Sequence, residues 1–273
     1  MNQLICHDFN FSGDDELVDY YVNFLKSLAL KLTPDTVNFF YNDKLKTFPL
    51  YEKAAIFYNH KEQLVRTSVR TITLTIYSIA NAEMQELFDL VPHATYNANL
   101  ACHLRDTWIT VDKKIEQIVD EAKGVDDIMK QAEDMNEILL YFQDIYCLCE
   151  ETNPKICKLL TNALLNYAYL PVLVQSLCVL TIKPSLQIST CLYILTQTFN
   201  LIKDPALVNP LFAALFFNQV PKVLQQKVES DDRQTPTTYS EIFKPIHFTK
   251  LTVAQLTEQY FSTSIVNFES FLL

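Results

Sequence analysis

Along residues 64–79 the apolar positions recur at alternating four- and three-residue steps: Val65, Val69, Ile72, Ile76 and Ile79. That spacing lays one apolar stripe along a helix of about 3.6 residues per turn. The preceding run from Phe48 predicts a short helix, joined to the long one by a turn at Asn59-His60. A neighbouring stripe carries Arg66, Arg70, Thr73 and Tyr77, so two arginines one turn apart stand at the edge of the buried face. Such a helix pair cannot bury its apolar face alone. Stacking against further helix pairs is the expected solution.

The rest of the chain reads the same way. Ser12 and Asp15 resemble a capping box, with Asp14, Asp15 and Glu16 at the positive end of a helix. This helix is expected to reach Leu32 with Leu17, Tyr21, Phe24 and Leu28 inside. Thr33-Pro34 should start a second helix through Val37 and Phe40, ending near a loop at 42–47. A short helix is expected from Asn81 to Leu90, a break at Val91-Pro92, then a helix from Ala94 to Val119 with Trp108, and punctuation at Gly124. Ile128, Ala132, Met135, Leu139, Phe142, Tyr146 and Cys149 follow a heptad, either a coiled-coil seam or a long solenoid helix. The end of the pattern at Asn153-Pro154 favours the second.

Residues 159–182 and 184–202 contain no charge and are long enough to span a bilayer. Asn162, Asn166, Pro171 and Gln175 interrupt the first; Gln187, Gln197 and Asn200 interrupt the second. Central buried helices are therefore expected, and membrane insertion through 159–202 stands as the alternative. Asp204-Pro205 should open a helix to about Asn218. Residues 229–240 read as a flexible linker. Residues 241–273 read as a tail with aromatic anchors and a short helix at Val253 to Phe261. The expected fold is all-α, an armadillo/HEAT-like array of stacked helix pairs over residues 1–228, although no fixed-period repeat is visible.

The composition, 49% hydrophobic and 20% charged with only two glycines in 273 residues, is that of a globular chain without glycine-dependent phosphate loops. A net charge of −10 argues against nucleic acid, and against anionic membranes as a partner for the whole surface. Lys44, Lys46, Lys53, Lys61, Arg66 and Arg70 nevertheless cluster around the central helix pair. They form either a solvated face with ion pairs or a docking patch for a phosphoinositide or acidic partner. Arg66 and Arg70 have the same two readings, pairing with carboxylates or carbonyls of a neighbouring helix, or recognising an acidic motif. Seven scattered cysteines and a start, MNQLICHDFN, without a basic head or apolar run lead to the expectation of a cytosolic chain in a reducing compartment.

Chemistry is sparse. Cys147, Cys149 and Cys157 have the wrong spacing for a zinc knuckle. Cys102 and His103 are adjacent and diverge on a helix, so they make no nucleophile–base pair. His60 at the turn suits backbone hydrogen bonding, and His7-Asp8 has no nucleophile beside it. The carboxylate pairs Asp14-Asp15, Asp126-Asp127 and Asp231-Asp232 are neighbours in sequence, whereas acid–base pairs converge across a cleft. No Walker loop, GxSxG or HExxH is present. The expectation is no enzyme, no cofactor and no metal.

Phe48-Pro49-Leu50, AAIFYNH from Ala54 to His60, and LVRTSVRTITLTIY from Leu64 to Tyr77 together resemble the signature of the FPL-domain family. Phe11 to Asn42 is similar to the family stretch before the triplet, and Leu192 to Leu211 to a later segment. The signature residues are Phe48, Pro49, Leu50, Asn59, His60, Arg66, Arg70 and Tyr77. Arg66, Arg70, Lys53 and Lys61 are the candidate partner-binding residues. The resemblance implies a non-enzymatic trafficking adaptor in endosome maturation, lysosomal or vacuolar transport and autophagy, peripheral on endosomal or Golgi membranes. The implied partners are small GTPase or tethering machinery, or ubiquitin-ligase components for which the chain would be a scaffold. It also implies a shortened form lacking the N-terminal part of the family domain, whose uncapped first repeat would self-associate.

Overall fold

The computed structural model describes residues 2–42, 44–79, 84, 87–88, 93–117, 122–177 and 184–216. The expected helix at 81–90 lies mostly outside them, and the linker at 229–240 and the tail at 241–273 lie wholly outside. The regular secondary structure of the described residues is helical. Their only β pairing is an isolated antiparallel bridge between Asn42 and Thr47, so the all-α expectation holds. Two compact units divide the chain, residues 1–103 with 141–160, and residues 104–140 with 161–273.

In the first unit, α1 (Asn2–Ile5) is tied down at both ends: the Asn2 side chain donates to the Phe39 carbonyl at 3.0 Å, and the Tyr21 hydroxyl donates to the Ile5 carbonyl at 2.6 Å. Burial pushes the Tyr21 phenol up to about 12. Helix α2 (Asp15–Ala29) is capped by Asp14, not by the Ser12 of the expected capping box: its carboxylate accepts from the Leu17 N–H at 2.9 Å. The cap residue must lie immediately before the first turn to reach an orphan N–H, and Asp14 does. The buried face of α2 is Val18, Tyr21, Val22, Leu25 and Ala29. Leu17, Phe24 and Leu28 flank it half-buried, so the helix packs on α4 along a line rotated from the expected one.

The helix also stops at Ala29, short of Leu32. The expected second helix after Thr33-Pro34 is a single 3₁₀ turn at Val37–Phe39. Thr33 and Thr36 exchange side chain–backbone hydrogen bonds at 2.8 and 3.2 Å, which closes one turn on itself. Helix α3 (Pro49–Ala55) and α4 (Gln63–Ile79) follow, with α2 and α3 both packed on α4 and α1 packed on α3.

Helix α5 (His93–Gln117) passes from the first unit into the second at residue 104, and α6 (Ala122–Cys149) passes back at 141. Gly124 lies inside α6 rather than ending a helix; one interior glycine costs only about 1 kcal/mol, which a helix this long tolerates. Along α6 the heptad residues Met135, Leu139, Phe142, Tyr146 and Cys149 are buried, and so are Ile138, Tyr141 and Ile145. The face is thus wider than a two-residue seam, as for a helix packed on several neighbours.

Helix α7 (Pro154–Leu177) is continuous but widens to π geometry over Leu165–Val174. Pro171 lies inside that segment. It has no N–H to donate and its ring collides with the carbonyl one α-turn back, so the wider turn carries the helix past it. In the second unit the Trp108 ring meets Tyr169 edge-on at 5.1 Å, and the Tyr169 hydroxyl bonds that of Thr198 at 2.9 Å. Helices α8 (Ile188–Leu201) and α9 (Pro205–Phe216) complete this unit. Buried Asp112 accepts from the Gln187 N–H at 3.1 Å and so caps α8 from α5, and Asp204 caps α9 through the Ala206 N–H at 2.7 Å. Burial first, then Asp112, pushes the Cys191 thiol up to about 11.

Candidate functional site

The pair α3–α4 is held by its own signature residues. Phe48 is fully buried as the cap of α3, with its ring 6.4 Å from Tyr41, and its N–H donates to Glu52 at 2.9 Å. Pro49 takes the first helical position, where no donor is lost, and Leu50 is buried. Phe-Pro-Leu is therefore an anchor, a preset backbone angle and a second anchor. On α4, Val65, Val69, Ile72 and Ile76 are buried as their spacing predicts, while Ile79 is half-buried.

The cations on and around this pair take separate places. Lys61 pairs with Asp15 at the start of α2, and the hydrogen bond it donates to Asp15 raises the lysine pKa. His60 Nε2 lies 3.8 Å from the same carboxylate, while its Nδ1 accepts from the Glu62 N–H at 3.2 Å. Arg66 turns back to donate to the His60 and Lys61 carbonyls, each at 3.0 Å. Arg70 lies over the Tyr141 ring, 5.8 Å from its centre. Lys53 is half-buried on α3, Asn59 is exposed at the turn, and Lys44 and Lys46 lie on the loop before Phe48. The geometry thus gathers Asp15, His60, Lys61 and Arg66 at the mouth of α4 and directs Arg70 toward the interior.

Behind Arg70 is a group that the sequence pattern did not expose. The Tyr51 and Tyr77 hydroxyls meet at 2.9 Å. The Tyr141 hydroxyl lies 2.7 Å from that of Thr73 and 3.0 Å from that of Tyr96, and Thr73 in turn donates to the Arg70 carbonyl at 2.9 Å. All five side chains are buried, and Phe88 packs on Tyr51 and Tyr77 at 5.7 and 5.2 Å. Burial raises all four phenols, those of Tyr77 and Tyr141 most strongly, and hydrogen bonding with Tyr141 and Thr73, then the charge of Arg70, partly offset the rise at Tyr96. Neutral phenols in a dry cluster are hydrogen-bonding cross-links, not acid–base groups at neutral pH. Tyr77 was legible as part of the signature. Tyr96 and Tyr141 come from α5 and α6, and only their being tyrosines in apolar stripes hinted at buried hydroxyls.

Elsewhere the other candidates are accounted for by packing. Cys149 and Cys157 are buried free thiols beside one another, with the Cys149 thiol pushed up by its hydrogen bond with Cys157 and by burial, whereas Cys147 is exposed and accepts from Gln143 at 2.9 Å. Among the described residues no three His, Cys, Asp or Glu side chains gather as metal ligands would. His103 sits 6.3 Å from the Tyr58 ring, and His7 packs on Phe9 at 4.6 Å. Asp14 and Asp15 take separate structural roles, Asp127 pairs with Lys114, and Asp231-Asp232 lie outside the described residues.

A family profile, FPL, described as an uncharacterised conserved protein, matches residues 1–77. Protein CLEC16A of Homo sapiens is 34% identical over 238 residues, covering 85% of this chain and 22% of that protein. The CLEC16A homolog of Drosophila melanogaster is 34% identical over 191 residues, 70% of this chain and 17% of that one. Protein TRANSPARENT TESTA 9 of Arabidopsis thaliana is 28% identical over 224 residues, 79% of this chain and 26% of that one. The chain therefore spans about a quarter or less of the length of these relatives. No solved structure matches it. The profile falls on the helices that Phe48, Leu50, Tyr51 and Tyr77 lock together, and the similarity continues well past them into the second unit; the chain belongs to the FPL family.

Proposed function

We propose that the chain is a non-enzymatic adaptor of membrane trafficking, acting in endosome maturation, delivery to lysosome or vacuole, and autophagy. The observation that carries this reading is the FPL match on residues 1–77, with similarity running through most of the chain. In this reading the chain is cytosolic and held peripherally on endosomal or Golgi membranes. It presents helical surfaces to small GTPase or tethering machinery, or to ubiquitin-ligase components, and carries no chemistry of its own. The residues of the signature pair fit such a role, being spent on anchoring, capping and cross-linking rather than on converging acid–base groups.

The test is recovery of the tagged chain from cells with endosomal membranes and with GTPase or tethering proteins, followed by alkaline carbonate extraction. Recovery with those proteins and release by carbonate is expected; a chain that enriches none of them sinks the reading. A second reading, insertion in the bilayer, is favoured by α7 alone, which is long and apolar enough to cross a membrane. Burial of 61% of its most apolar window favours a core helix instead. Retention in the membrane after carbonate would decide for insertion.

A further inference from the structure

Residues 184–202 carry no charge, which predicts a helix buried on every side, yet α8 leaves one arc of itself in solvent. Ile188 is 67%, Leu192 56% and Tyr193 37% exposed, and Phe199 is half-buried. On a regular helix Ile188, Leu192 and Phe199 fall within about 40° of one another, so they make one apolar ridge along α8. The opposite side, Thr190, Cys191, Ile194, Leu195 and Thr198, is buried in the second unit. The ridge is held in place. Asp112 caps the start of α8, Thr198 is bonded to Tyr169 at 2.9 Å, and the Phe199 ring stacks on Phe212 at 4.5 Å. Beside the ridge the Thr196 hydroxyl donates to the Leu192 carbonyl at 2.8 Å, so covering it strands no donor.

A wet apolar ridge on an anchored helix is an interaction surface, and its chemistry selects the partner. A bilayer surface or an acidic peptide calls for lysine or arginine beside the ridge, and a basic peptide calls for carboxylates; residues 184–202 have neither. Lys203, beyond the end of α8, is turned back onto the Phe199 carbonyl at 3.3 Å. The complement is therefore another uncharged apolar ridge. We propose that α8 is the seat of a homodimer, covered by α8 of a second copy of this chain. The spacing is self-complementary. When two α8 helices cross antiparallel about a two-fold axis between Tyr193 and Ile194, Ile188 of each copy meets Phe199 of the other and the two Leu192 side chains lie together. A helix of 14 residues is about 21 Å long, so this face buries less than the roughly 1,600 Å² of a stable complex, and the pairing is weak and reversible. Each copy carries a net charge of −10, so salt, by screening the repulsion between the bodies, strengthens the pairing. The trafficking reading neither requires nor excludes this dimer.

The test is sedimentation velocity of the full chain from about 10 to about 300 µM, where a weak dimer is expected that tightens as salt rises from about 0.05 to about 0.5 M. Two-fold symmetry places every substitution in the interface twice, so Leu192→Asp and Ile188→Asp should each weaken pairing about 100-fold. Leu192→Gln should weaken it about tenfold without adding charge. Leu64→Asp, at a site 77% exposed on α4, and Leu4→Asp, 50% exposed on α1, should leave the dimer unchanged. Equal urea midpoints for these variants would show that the fold is intact. A wild-type monomer at every concentration, a dimer that survives in both α8 aspartate variants, or one that loosens with salt overturns the proposal. So does flotation of a monomeric chain with phosphatidylcholine vesicles that Leu192→Asp abolishes, which would give the ridge to lipid. Dimerisation of a chain that recovers no trafficking proteins from cells would refute only the trafficking reading.

Discussion

Replacing Tyr141 by phenylalanine removes one oxygen from the middle of a buried chain of hydroxyls. In the wild type each can donate once, from Tyr96 to Tyr141, from Tyr141 to Thr73, and from Thr73 to the Arg70 carbonyl. Without the Tyr141 hydroxyl, Thr73 still has its carbonyl partners at Val69 and Arg70, but the buried Tyr96 O–H loses the acceptor it has at 3.0 Å. One net hydrogen bond is worth about 1 kcal/mol and a buried donor deprived of its acceptor adds about 1 to 3, so Tyr141→Phe should cost about 2 to 4 kcal/mol. Tyr96→Phe removes only the first donor, leaves Tyr141 bonded to Thr73, and should cost about 1 kcal/mol. In the double variant no donor is stranded, so its cost should stay near about 2 kcal/mol, a coupling of about 1 to 3 kcal/mol. Urea unfolding followed by far-ultraviolet circular dichroism on all four proteins measures this. Additivity within about 0.3 kcal/mol, or a neutral Tyr141→Phe, would refute the chain of donation.

The same burial sets an alkaline limit. Tyr51, Tyr77, Tyr96 and Tyr141 have folded pKa values above the unfolded value of 10.0, so the folded state retains protons that the unfolded state releases. Their contribution is full below pH 10 and falls as pH rises toward the folded values. Each group loses about 1.4 kcal/mol per pH unit there, and tyrosinate absorbance should appear with unfolding, not before it. Asp14→Ala should cost about 1 kcal/mol and Ser12→Ala almost nothing, read by urea midpoint. Arg66→Ala should cost about 2 kcal/mol through the two carbonyls it leaves, and loss of partner binding with unchanged stability would instead make Arg66 a recognition residue. Asp112→Ala should cost about 1 to 2 kcal/mol by uncapping α8, reported by Trp108, the sole tryptophan and a resident of the same unit.

How far the sequence could be read follows from what each pattern encodes. Periodicity specifies which side of a helix is wet, and it placed Val65, Val69, Ile72 and Ile76 inside correctly. It does not specify where within a broad apolar face the neighbouring helix will sit, so α2 turned Val22 and Leu25 inward ahead of Phe24. Cap residues announce a helix start, but Thr33 and Thr36 can satisfy each other after one turn, and only later residues decide whether propagation follows. The Asp204-Pro205 start succeeded because an apolar stretch to Phe216 carries the helix onward. The tyrosine cluster was hidden because its members are separated by up to 90 residues, from Tyr51 to Tyr141, and no local rule connects them.

The first unit is discontinuous in the chain, needing residues 141–160 as well as 1–103. On a ribosome, the signature helices would emerge long before the α6 segment that bears Tyr141. A nascent chain stopped at Tyr77 would hold Tyr51 and Thr73 without their later partners and would leave the α4 stripe partly uncovered. Chaperone engagement during that interval, and the insolubility of a fragment ending at residue 77, follow from topology alone. The stretch that a family profile marks off is in physical terms only part of a unit, and its boundary should not be used as a place to cut.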